Sequence, residues 1–164
     1  EIKKTDRGVI VSRWIHGTPP SPYYADLVKF DGNCDRLQHY EMCIPAVALN
    51  KSIYTPEGTG GRGKAYIDKT YINISYNFMT PLDEDNTRYF WFQHRNTDPQ
   101  DKDISAKMND GALMAFLEDK GILEDVHLGM KNPSTPNIDL GLDAGAKLFR
   151  KFLGRKIEEE QDNL

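Results

Sequence analysis

Cysteine is scarce: Cys34 and Cys43 are the only two in 164 residues, and neither belongs to a Cys-x-x-Cys or Cys-x-His pair. That is too few for a disulfide framework or a four-thiolate metal site, so both are expected to be reduced, partly buried thiols. Long apolar runs are also missing. No stretch approaches the roughly 18 residues that a membrane helix requires, and no charged-then-apolar leader opens the chain. The expectation is a soluble, cytoplasmic protein without a membrane partner. Lysine and arginine number 21 against 25 acids, net charge −4, and they are scattered. With no basic stripe to meet a phosphate backbone, nucleic acid is excluded as a partner. A serine nucleophile elbow and H-E-x-x-H are absent. None of His16, His39, His94 and His127 has a second histidine four or five residues on, so sequence neighbours cannot assemble a metal site. The glycine cluster Glu57 to Gly63 has no Lys-Ser/Thr after it and reads as a flexible connection rather than a phosphate loop.

What is present suffices for one globular domain: 38% apolar and 10% aromatic residues. The chain opens on Glu1 rather than methionine, with a strand-like run within eight residues, which reads as entry in mid-domain. Alternation and β-branched or aromatic content predict four strands: Gly8 to Ile15, Arg36 to about Ile53, Lys64 to Met79 and Thr87 to Arg95. The third alternates cleanly, with Thr70, Ile72, Ile74, Tyr76 and Phe78 on one face and Tyr71, Asn73, Ser75 and Asn77 on the other. The polar turn Thr80 to Asn86 joins it to the ring-rich TRYFWFQHR as an antiparallel hairpin. Two helices follow, about Ile104 to Met130 and Asp143 to Asp162, separated by the breaker-rich KNPSTPN. The second carries the stripe Leu148, Phe149, Phe152, Leu153 and Ile157, with Asp143 placed as N-cap. Strands first and helices afterwards predict an α+β fold with helices on one antiparallel sheet.

One residue conflicts with its surroundings. A stripe on the first helix runs through Ala112, Ala115, Phe116, Asp119, Ile122, Leu123 and Val126, and a single carboxylate interrupts it. Buried without a partner, that charge would cost several kcal/mol, so Asp119 is expected to be paired, hydrogen-bonded or bound to a metal. Pattern alone leaves these open. Glu124 and His127 have the Glu-x-x-His spacing of di-iron bundles, but one copy beyond a sheet reads as a surface pair.

The order of motifs resembles the oxygenase component of the vanillate O-demethylase family of Rieske-type non-heme iron aromatic oxygenases. TDRGVIVSRWIHGTPPSPYY is similar to the family's entry into the second half of its catalytic domain, and CDRLQHYEMCIPAVALNKSIYTPEGTG to its long strand with a DRWQ-like start. TPLDEDNTRYFWFQHRN resembles its hairpin ending in Arg-Asn, here Arg95 and Asn96. AFLEDKGILE resembles the iron-ligand helix and DLGLDAGAKLFRKFL the closing helix. The resemblance implies a helix-grip antiparallel sheet packed against a long C-terminal helix. It makes Asp119 the carboxylate ligand of mononuclear Fe(II), and sets Asn77 and Asp110 at substrate-binding positions whose identities depart from the demethylases. It implies an aromatic substrate and O2, hydroxylation or O-demethylation, and electrons from NADH through a separate reductase or ferredoxin component. The [2Fe–2S] cluster and the iron-binding histidines belong to an N-terminal part absent from this chain, and the full-length protein is expected to be a homotrimer. The rival from another class is a non-enzymatic helix-grip binding module for hydrophobic small molecules, in which Asp119 pairs with a cation of the sheet.

Overall fold

A computed structural model of the chain describes residues 1–60, 69–132, 134 and 138–163. Six antiparallel strands run β1 (Ile2–Lys4), β2 (Gly8–Thr18), β3 (Cys34–Cys43), β4 (Val47–Pro56), β5 (Tyr71–Pro81) and β6 (Thr87–Arg95), paired in that order as a meander. Helix α1 (Lys102–Met130) and, after a 3-10 turn at Gly141–Asp143, helix α2 (Ala144–Gln161) complete the elements. The chain is α+β, as its pattern predicted. The chain forms two compact units, the sheet with α2 (Glu1–Thr97 and Gly141–Leu164) and the α1 segment (Asp98–Leu140).

The expected strand from Arg36 to Ile53 is two strands. Pro45 lacks an N–H to give a ladder, and Ile44 to Ala46 form the turn between β3 and β4, with a cis Ile44–Pro45 peptide. The expected start of the next strand at Lys64 lies outside the described residues. The hairpin follows expectation: β5 and β6 pair from Asn73↔Arg95 to Pro81↔Thr87. Asp83 closes its turn by accepting from the backbone N–H of Asp85 and Asn86 at 2.9 and 2.8 Å. At the other end Asn96 clamps β5, accepting from Ile72 N at 2.8 Å and donating to Thr70 O at 2.7 Å.

Helix α2 lies on the face of the sheet that carries Val9 and Val11. A Cβ added to Gly145 would stand 2.5 Å from Val11 Cγ2, so only glycine permits this approach. Phe152 is buried on the same side, with Lys4 Nζ 5.8 Å from its ring centre. Asp143 occupies the N-cap position of α2 but makes no capping hydrogen bond there, whereas Asp101 caps α1 through bonds from Asp103 N and Ile104 N at 2.9 and 3.0 Å. Buried Asp35 joins the ends of three strands. Its carboxylate accepts from Gly17 N at 3.1 Å and Gly60 N at 2.9 Å, and His16 Nδ1 lies 3.3 Å away. Burial raises its pKa, but the two backbone bonds and His16 outweigh that and hold it below the usual carboxylate range. A side chain at Gly60 would collide with Asp35. Cys34 is buried and Cys43 partly so, both free, as expected.

Candidate functional site

Directly paired residues share a face of the sheet, so the ladder defines what stands beside α2. Successive rows across β3, β4 and β5 are Arg36–Tyr54–Tyr71, Gln38–Ser52–Asn73, Tyr40–Asn50–Ser75 and Met42–Ala48–Asn77. This face is polar at its centre, yet Ser52, Asn73, Ser75 and Asn77 are all buried, as are Tyr54 and Tyr71. Some are satisfied by protein: Asn77 Oδ1 accepts from Tyr89 OH at 2.8 Å, its Nδ2 donates to Ala48 O at 3.3 Å, and Asn73 Nδ2 donates to Tyr24 OH at 3.1 Å. Others are not. Asn50 Oδ1, Asn73 Oδ1, Tyr71 OH and Arg36 Nε are buried without a hydrogen-bond partner among the described residues. Each such atom costs about 1–3 kcal/mol, and four across three neighbouring strands mark a surface shaped for something other than its own folding.

Aromatic rings close one end. Tyr24, from the loop between β2 and β3, stands 5.0 Å from Tyr54 and 5.5 Å from Tyr71 by ring centres, and its edge meets Tyr23 at 4.8 Å. Tyr23 OH donates to Gln93 at 3.4 Å. Burial is the largest influence on these phenols. It raises the pKa of Tyr71 far above the usual value, and raises Tyr24 against the opposing hydrogen bonds from Ser52 and Asn73, and Tyr23 against that of Gln93. All three stay neutral, so the end of the face offers ring surface and hydroxyls rather than charge.

The sequence singled out Asn77, Asp110 and Asp119. Asn77 lies on this buried face. Asp110 and Asp119 are both on α1, exposed to water. Their nine-residue spacing is two and a half turns of unbroken helix, so they project from opposite sides of α1. Asp110 borders an open apolar groove with Leu113, Met114, Leu117 and Glu118. The stripe with Asp119 keeps its predicted alignment, but only Ala112 is buried, while Ile122, Leu123 and Val126 are more than half exposed. Taken within its own unit, Asp119 is exposed, and an exposed carboxylate needs no partner. Among the described residues Asp119 enters no salt bridge, whereas Glu124, its neighbour on α1, pairs with Lys120 at 3.2 Å. No group of three or more histidine, cysteine, aspartate or glutamate side chains converges among the described residues. An exposed carboxylate fits one ligand of a metal whose others come from elsewhere, and no such site is closed among the described residues.

Tyr24, Asn50, Tyr71, Asn73 and Arg36 were not singled out from the sequence. The alternation of β5 did reveal the row Tyr71, Asn73, Ser75, Asn77, but which face is buried depends on elements such as the loop carrying Tyr24, which the pattern of one strand does not contain. No described helix is long and apolar enough to cross a membrane.

The family described as vanillate O-demethylase oxygenase C-terminal domain matches residues 1–159. A putative toluene-4-sulfonate monooxygenase system iron-sulfur subunit of Comamonas testosteroni is 27% identical over 151 residues, covering 92% of this chain and 44% of that protein. A vanillate O-demethylase oxygenase subunit of a Pseudomonas species is 25% identical over 158 residues, 93% of this chain and 48% of that protein. A second such Pseudomonas subunit is 24% identical over 159 residues, 94% and 45%. The chain thus spans under half the length of these relatives. No solved structure matches it. A match over nearly every residue, with the β5–β6 hairpin that the motifs anticipated, assigns the chain to the vanillate O-demethylase oxygenase C-terminal domain family, within the Rieske-type oxygenases.

Proposed function

We propose that this chain is the C-terminal part of a helix-grip catalytic domain in an aromatic hydroxylase or O-demethylase. In this reading the face beside α2 walls the substrate pocket, and Asp119 gives its carboxylate to a mononuclear Fe(II) whose histidine ligands lie in the rest of the protein. The observation that carries the pocket is the set of buried, unsatisfied atoms Asn50 Oδ1, Asn73 Oδ1 and Tyr71 OH. Relatives named for vanillate and toluene-4-sulfonate systems handle flat rings with polar substituents, and such a ligand complements orphaned polar atoms set among aromatic walls.

Each group has a task that its surroundings support. The rings of Tyr24, Tyr54 and Tyr71 sandwich or edge a substrate ring. Neutral Tyr71 OH donates or accepts, and the Asn50 and Asn73 carbonyl oxygens take donors such as a phenol. Asn77, already held by Tyr89 and Ala48, keeps that part of the wall rigid. Asp119 supplies oxygen donors and one negative charge, which matches a divalent ion that prefers mixed carboxylate and imidazole ligands. Iron supplies oxygen activation when bound, the cofactor's own chemistry. The same proposal includes a [2Fe–2S] domain outside this chain, a reductase passing electrons from NADH, a homotrimer and a cytoplasmic location. Those outer parts also cover the exposed apolar residues of α1.

The test uses the full-length protein with reductase, NADH and O2. Asp119→Ala should abolish consumption of an aromatic substrate and lower mononuclear iron while leaving iron–sulfur absorbance intact. Wild-type iron content and turnover in that variant would refute the ligand assignment.

A further inference from the structure

We infer that Arg36 is the anchor for the anionic group of an aromatic acid at the tyrosine-lined end of the face beside α2. This rests on the reading of that face as the substrate pocket. Arg36 shares its row with Tyr54 and Tyr71. Its Nε is buried and has no hydrogen-bond partner, and the guanidinium has no salt bridge among the described residues. The two other arginines on this face are engaged: Arg13 Nε donates to Gln38 at 2.9 Å and Arg95 Nε to Thr97 O at 2.9 Å. The adjacent acid in sequence gives Arg36 no help. Asp35 points to the opposite face, and its carboxylate is committed to Gly17, Gly60 and His16.

A half-buried cation without an anion is costly unless a ligand brings the charge. The guanidinium fork matches the paired oxygens of a carboxylate or sulfonate better than any point cation does. Alternate residues of a strand lie about 7 Å apart and neighbouring strands about 4.8 Å, so an acid held at Arg36 sets its ring against the tyrosine-lined end of the face, with Gln38 and Ser52 in the next row. Vanillate and toluene-4-sulfonate, which give relatives their names, are both such anions. The pocket therefore selects aromatic acids over their neutral counterparts, and Arg36 is the specificity-determining residue.

Equilibrium calorimetry on the full-length protein tests this without turnover. The probes are vanillate with its methyl ester and toluene-4-sulfonate with its sulfonamide. Wild type should favour each anion. Arg36→Met should weaken the anions by about ten- to a hundredfold, the worth of a hydrogen bond to a charged group, and leave the neutral analogues unchanged. Arg36→Gln should behave alike and serves if the methionine variant melts early. Equal weakening of anion and analogue, unaltered anion affinity, or a wild type that binds neither anion overturns the inference. If anion selectivity depends on Arg36 while the protein oxidises no aromatic acid, the oxygenase reading fails and the anchor stands.

Discussion

On the sheet face beside α2, asparagine, serine and tyrosine are hidden from water, whereas on α1 leucine, isoleucine and methionine stand in it. The usual arrangement is inverted in both places, for different physical reasons. The sheet closes its own backbone hydrogen bonds through five consecutive pairings, so its side chains are free to be chosen for something besides folding. Helix α1 likewise satisfies its backbone locally, and within its own unit Leu117, Ile122 and Leu123 are exposed. The proposed ligand surface rests on the first of these, polar burial with orphaned atoms.

That contrast can be broken by substitution. The largest effect is expected at Tyr71, 1% exposed and packed against Tyr24 and Tyr54. Tyr71→Ala should lower the unfolding free energy by about 3–5 kcal/mol in urea titrations. A loss below that of an α1 leucine would remove the distinction. Asp35→Asn should cost about 1–3 kcal/mol at neutral pH, since the part-buried Gly17 and Gly60 N–H groups lose their charged acceptor. Because the folded pKa of Asp35 is depressed, its contribution is full above the unfolded carboxylate value of about 4 and disappears as pH falls through the folded value. Wild type should therefore lose stability on acidification more steeply than the variant, as thermal melts from neutral pH downward would show. Tyr89→Phe, which removes the 2.8 Å bond to Asn77, should cost about 1 kcal/mol and loosen the pocket wall, read as weaker aromatic-acid binding. Smallest of all, Leu117→Gln on α1 should change the stability of this chain by under about 0.5 kcal/mol. A large loss would mean that its side chain is buried after all.

The fold was legible where periodicity was strong. Alternation over Tyr71 to Phe78 and the rings of Thr87 to Arg95 announce a hairpin because a strand repeats every two residues. Both helices followed from apolar spacing, α1 within two residues of its observed start. The turn at Pro45 was missed because β-branched and apolar residues on both sides made one continuous strand-like run. The site was less legible. Asp119 stood out as a charge in a stripe, but burial belongs to whatever covers the stripe, and periodicity reports only that a face exists. Arg36, Asn50 and Asn73 stood out in nothing local, since each is ordinary on its own strand.

By itself, then, the sequence determined the α+β order of elements, the hairpin, the two helices and the family, all of which depend on spacing along the chain. Only the tertiary structure decided which face of the sheet is closed and that Arg36 has no salt bridge among the described residues. Those facts depend on register between strands far apart in sequence and on which polar atoms find partners there, and neither is recorded in any single segment.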